Sequence, residues 1–120
     1  MAKTILVADD SPTELRMVVD ALKDQGYQII TAVDGEDAIE KATRERPSLA
    51  ILDIIMPKKN GYQALRQIKT APETKDIKVM LLSSKNQESD KFWGMKQGAD
   101  DYMTKPFDNA ALVAAVAKLI

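Results

Sequence analysis

Leu49-Ala50-Ile51-Leu52-Asp53-Ile54-Ile55-Met56-Pro57 carries the strongest structural signal in the chain. Its first four residues are apolar without alternation. Such a run describes a strand covered on both faces, as in a parallel sheet between helix layers. It stops at a carboxylate, Asp53. A second run, Thr4-Ile5-Leu6-Val7-Ala8, also stops at acid, Asp9 and Asp10. Three carboxylates at the ends of buried strands are costly, because like charges repel there and lose water. A divalent cation offsets the cost. The pattern points to a magnesium site with one carboxylate left free for chemistry.

Working outward, strand-like and helix-like segments alternate. After Asp10, Ser11 is a good N-cap, Pro12 fits the first helical position and Glu14 completes a capping box. Leu15, Val18, Val19 and Leu22 keep helical spacing until Gly26. Tyr27 to Ala32 reads as a second strand. Asp34-Gly35 opens a second helix, and Pro47 marks its end. Beyond Asp53, Lys58-Lys59-Asn60-Gly61 reads as a solvated loop and Tyr62 to Lys69 as a third helix. Val79 to Leu82 is a fourth strand, ending at Ser83-Ser84. A helix over Glu88 to Gln97 closes at Gly98, a strand over Asp101 to Thr104 ends at Lys105-Pro106, and Asp108 caps a last helix through Leu119. Strand–helix alternation five times over predicts an α/β domain with a parallel sheet between helices. Phe92 and Trp93 are adjacent on a helix and cannot point the same way, so one is expected in the core. Met56 and Met95 are expected to be packing residues.

The 120 residues suit one domain with one core, spanning 1–120. Net charge is -1, so no basic surface advertises nucleic acid. The chain has no cysteine and no histidine, which excludes disulfides, thiolate chemistry, imidazole catalysis and phosphorylation of its own histidine. The opening residues lack a signal-peptide apolar core, and no apolar run reaches transmembrane length. A cytoplasmic protein without membrane insertion is expected.

Asp9, Asp10, Asp53, Ser83 and Lys105 all fall at or just past the C-terminal ends of predicted strands. In open parallel sheets ligands bind at that edge. A lone acidic pair after a strand is ordinarily helix-capping acid, and a lone lysine before a turn is ordinarily solvated. Their coincidence at one edge reverses both readings. Asp53 is placed to attack phosphorus in line and form an acyl phosphate. The Lys105 ammonium would stabilise the transferring oxygens, and the Ser83 hydroxyl would bond one of them.

These motifs, Asp9-Asp10-Ser11-Pro12, Asp53-Ile54-Ile55-Met56-Pro57 with Gly61, Ser83-Ser84 and Lys105-Pro106-Phe107, resemble the receiver domains of two-component response regulators, in the stand-alone form typified by CheY. The resemblance implies a doubly wound, flavodoxin-like sheet of strand order 2-1-3-4-5 with five helices. It implies that Asp53 is phosphorylated by a sensor histidine kinase, and that Mg2+ is held by Asp9, Asp10, Asp53 and the backbone carbonyl of Ile55. It makes Ser83 and Tyr102 switch residues, Lys105 a phosphoryl contact and Lys105-Pro106 a cis peptide. The implied effector is a separate protein bound by a monomer, on the face of helix four, strand five and helix five. Asp10-Ser11-Pro12-Thr13-Glu14, Asp90-Lys91-Phe92-Trp93-Gly94 and Gln97-Gly98-Ala99 are further similar to regulators of type IV pilus twitching motility, the PilH kind. That similarity implies chemotaxis-like control of motility.

Two readings compete with a switch. One is a phosphate sink or relay intermediate with no effector of its own. The other is a magnesium-dependent phosphohydrolase, which needs a second acid two residues after the nucleophile. That position is Ile55. Ile55 and Lys85 also depart from the polar residues that flank the hydrolytic water in better-known chemotaxis members, which puts the lifetime of a phosphorylated state in question.

Overall fold

The computed structural model describes residues 2–120 and shows five strands and five α-helices in strict alternation. They are β1 (Thr4–Ala8), α1 (Pro12–Leu22), β2 (Gln28–Ala32), α2 (Gly35–Glu45), β3 (Leu49–Leu52), α3 (Gly61–Thr70), β4 (Lys78–Ser83), α4 (Glu88–Lys96), β5 (Asp101–Thr104) and α5 (Asn109–Leu119). All strands pair in parallel, in the order β2-β1-β3-β4-β5. This is the doubly wound arrangement the sequence leads one to expect.

Alternating side chains of the central strands feed two cores. Leu6, Ala8, Ala50, Leu52, Val79 and Leu81 pack with α2 and α3 residues such as Ala38, Leu65 and Ile68. Ile5, Val7, Leu49, Ile51, Met80 and Leu82 pack with Val18 and Leu22 of α1 and Leu112 and Val116 of α5. Burial on both faces is why β1, β3 and β4 read as unbroken apolar runs.

Three local expectations are corrected. The capping box at α1 is only half formed. The Ser11 hydroxyl accepts from the Glu14 N–H, but the Ser11 N–H donates to Asp9 Oδ1 at 2.9 Å. The Glu14 carboxylate turns instead to Lys105, a stronger partner because it is charged. Neither Phe92 nor Trp93 enters the core: they are 66% and 46% exposed, and Met95 is also exposed. The buried residue of α4 is Gly94, on which a Cβ would lie 2.7 Å from Leu81 Cδ1 and 3.2 Å from the Tyr102 ring. With glycine as its contact, α4 sits so close to the sheet that its large side chains have no room beneath it. Finally, only one of the Lys58-Lys59 pair is solvated as expected: Lys58 is exposed, whereas Lys59 is half-buried. Lys59 packs its backbone against Gly35 at the start of α2, and Lys58 pairs with Asp34 at 3.8 Å.

Gly61 starts α3 at a point where only glycine fits. A Cβ there would meet the Asp53 carbonyl oxygen and lie 2.8 Å from Ile54 Cα, while the Gly61 N–H donates to the Ile54 carbonyl at 2.8 Å. Gly61→Ala should therefore push the β3–α3 turn outward. The expected cost is about 1–3 kcal/mol in urea unfolding, the usual range for overpacking. An unchanged unfolding midpoint would show that the turn has slack.

Candidate phosphoryl-acceptor site

The sheet's hydrogen-bond ladder runs one residue past the assigned strand ends. The Asp9 N–H donates to the Ala32 carbonyl at 3.1 Å, the Asp53 N–H to Ala8 at 3.0 Å and the Lys105 N–H to Ser83 at 2.8 Å. The three charged residues are thus fixed in the frame of the sheet rather than left on mobile loops. Asp9, Asp10 and Asp53 each offer a carboxylate oxygen, and these oxygens lie within 4.8 Å of one another. Asp9 is buried, Asp53 half-buried and Asp10 exposed. An all-oxygen, multiply anionic set, open to water on one side, suits a hard divalent cation that keeps part of its hydration.

Lys105 reaches this cluster from β5. Its Nζ is 2.7 Å from Asp9 Oδ2, 3.0 Å from Glu14 Oε1 and 3.7 Å from Asp53 Oδ2, with its side chain 10% exposed. Burial by itself would lower the Lys105 pKa. The bonds to Asp9 and Glu14 and the Asp53 charge outweigh it, so the pKa is raised and the ammonium stays charged. Burial raises the Asp53 pKa from its ordinary value, and the Asp9 charge adds to the rise. The Lys105 charge and the Ile54 N–H, which donates to Asp53 Oδ1 at 2.8 Å, oppose it.

Ser83 is fully buried at the end of β4, and its Oγ accepts from the Lys85 N–H at 3.4 Å. Two residues along the same loop, the Lys85 carbonyl accepts from the Tyr102 hydroxyl at 2.7 Å. Burial first, then the neighbouring Tyr62, Asp90 and Asp53, push the Tyr102 pKa up to about 12, so it remains a donor. The ring of Tyr102 lies under Gly94. Ser83, Lys85, Tyr102 and α4 therefore form one connected path away from the acid cluster. Ile55 is 57% exposed beside it. The Lys105-Pro106 peptide is cis, as the resemblance implies.

Every residue expected at the edge thus lies at this end of the sheet. Glu14 was missed as a partner of Lys105. Its capping position offered a sufficient local explanation, and nothing in the spacing indicates that a lysine 91 residues away competes for it. Gly94 was also missed, since a glycine inside a helix carries no positive sign of close approach.

A family model described as the response regulator receiver domain matches residues 5–117. The chain is 43% identical over 112 residues to the protein PilH of Pseudomonas aeruginosa, covering 93% of each. It spans about half the length of several other curated relatives that it matches. Among solved structures, the chemotaxis protein CheY4 of Vibrio cholerae is similar with a TM-score of 0.92 and 28% identity over all of both chains. The receiver domain of a sensor histidine kinase from Pseudomonas aeruginosa, crystallised with magnesium in its active-site cleft, has a TM-score of 0.91 at 25% identity, covering 99% of this chain and 98% of that one. No helix among the described residues is long and apolar enough to cross a membrane. Family match, strand order and close relatives agree: the chain belongs to the response regulator receiver family of two-component signalling.

Proposed function

We propose that Asp53 accepts a phosphoryl group from the phosphohistidine of a sensor kinase and that the resulting charge changes the affinity of a separate effector protein. The observation that carries this reading is the convergence of the Lys105 ammonium on Asp53 inside a three-carboxylate cluster at the strand ends. An Asp53 carboxylate oxygen attacks phosphorus in line. The bond from phosphorus to the imidazole nitrogen breaks, its electron pair leaves with the imidazole, and an acyl phosphate forms. Asp9, Asp10 and Asp53, with the Ile55 carbonyl, would hold Mg2+, which neutralises charge on the transferring oxygens when bound. The related kinase receiver crystallised with magnesium in its cleft supports that assignment. Lys105 takes the phosphoryl oxygens as they arrive, and the Ser83 hydroxyl donates to one of them.

Turning Ser83 towards a phosphoryl oxygen moves its Oγ away from the Lys85 N–H and so loosens one of the two bonds at Lys85, the other being the Tyr102 hydroxyl on its carbonyl. Tyr102 and α4 respond together because Gly94 leaves no space between them. The output surface would be α4, β5 and α5. The exposed Phe92, Trp93 and Met95 of α4 give an effector apolar side chains to bury there, which is what supports an effector over a pure phosphate sink. Ile55 supplies no acid to a leaving group, which disfavours a phosphohydrolase. The PilH relative favours an output in pilus-based motility.

Asp53→Asn should abolish phosphoryl incorporation from acetyl phosphate or a kinase panel, and excess EDTA should stop it in the wild type. A full acid-labile signal in the variant, or an undiminished rate in EDTA, would refute the assignment. The same variant has a stability signature. Because the folded-state pKa of Asp53 is raised above 3.8, the ionised form destabilises the metal-free fold at neutral pH. Asp53→Asn should then unfold at higher urea at pH 7 without magnesium. The gain should shrink as pH falls through the raised folded pKa and vanish below 3.8, where wild-type Asp53 is protonated in both states. Saturating magnesium should shrink it too, and an equal or lower midpoint at pH 7 contradicts the electrostatics. The phosphorylated state should be long-lived, because neither apolar Ile55 nor the cation Lys85 offers an acceptor that would align a hydrolytic water. Ile55→Asn and Lys85→Glu should each speed phosphoryl loss several-fold. Unchanged or slower decay in both would place control of the lifetime elsewhere.

A further inference from the structure

Glu14 stands outside the three-carboxylate cluster, yet it holds the residue that would bind the phosphoryl group. An ammonium has three protons to donate. Lys105 spends two at hydrogen-bond distance, on Asp9 at 2.7 Å and on Glu14 at 3.0 Å, and stands 3.7 Å from Asp53. In the unphosphorylated protein its bonds go to two carboxylates that are not the phosphoacceptor. The two differ in how firmly they are packed. Asp9 is buried, and its other oxygen accepts from the Ser11 N–H. Glu14 is 46% exposed on the first turn of α1. Beside it opens a groove of about 280 Å³ lined by Met17, Ser84, Pro106 and Phe107, so the side chain has room to turn away without repacking the core.

We propose that Glu14 is a positioning residue that restrains Lys105 and must release it when a phosphoryl group arrives, so that Glu14 sets how tightly the site holds phosphoryl. The inference rests on the phosphoacceptor reading of Asp53 and deepens it. Two effects act in the same direction. The Glu14 carboxylate competes with phosphoryl oxygens for the Lys105 protons, and its charge repels an incoming dianion in a cluster that already holds Asp9, Asp10 and Asp53. Release costs Glu14 little, because its carboxylate is already half-exposed to water, and Lys105 exchanges it for a phosphoryl oxygen rather than for nothing. Glu14 thereby sets a threshold: the switch closes on a true phosphoryl group and resists weaker anions.

The test is a titration with beryllofluoride, a non-covalent phosphoryl mimic, in magnesium buffer, followed by calorimetry. Glu14→Gln keeps the shape and removes the charge, and should bind about three- to tenfold more tightly than wild type at low salt, the size expected of one partly screened charge. The gain should contract at high salt, which a merely structural role for Glu14 does not predict. Glu14→Asp keeps the charge but is one methylene shorter, and should fall between the two. Thermal melts identify any loss of folding, and Glu14→Asp carries the comparison if Glu14→Gln is unstable. Equal or weaker binding by both variants, with the wild type binding normally, overturns the role of Glu14 and leaves Asp53 as phosphoacceptor. If neither wild type nor variants bind, the phosphoacceptor reading fails and this inference with it.

Discussion

The Lys105 ammonium ties together three segments that are far apart in sequence: the end of β1 through Asp9, the start of α1 through Glu14 and the end of β3 through Asp53. A buried charge is tolerated only when it is paired, and acids crowded at strand ends repel unless a cation stands among them. Each group therefore makes the other possible. The sheet supplies the accuracy. Because the ladder continues past the strands at Asp9, Asp53 and Lys105, the register of the parallel strands sets the separation of the charges, and the loops do not. Gly61 completes the frame by letting α3 start against the backbone of Asp53.

The same frame links the end of β4 to α4 through direct contacts. Ser83 shares its hydroxyl with the Lys85 amide, and the Lys85 carbonyl is held by Tyr102. Tyr102 fills the space that Gly94 leaves under α4. The α4 helix is further tied to α3 by the Tyr62 hydroxyl, which donates to the Asp90 carbonyl at 3.2 Å, and by Arg66 to Gln97 at 3.0 Å. Among its own residues, α4 buries only Gly94 and is otherwise held on this face by a few polar contacts. It is also the element that shows aromatic side chains to solvent.

The fold was legible in the sequence to the extent that burial on both faces leaves an unbroken apolar run. β1, β3 and β4 stood out for that reason, and Pro47, Gly26 and Gly98 marked the turns between elements. The acid cluster was legible because carboxylates at the end of such runs have no cheap structural explanation. What escaped depends on competition between partners distant in sequence. Glu14 satisfies a local capping rule, and only the arrival of Lys105 in space redirects it. Phe92 and Trp93 satisfy the composition of a core, and only the close approach at Gly94 excludes them. Lys59 carries the polarity of a loop, but its backbone is packed on Gly35.

The central claim is that this edge of the sheet directs a phosphoryl group to one carboxylate. The most direct measurement is to incubate the wild-type protein with magnesium and acetyl phosphate, trap the acyl phosphate by borohydride reduction and map the reduced residue by peptide mass spectrometry. The account predicts conversion of Asp53 alone, with Asp9, Asp10 and Glu14 unmodified. Conversion at any of those three, or an Asp53 peptide that stays unmodified while the protein carries phosphate, would contradict it.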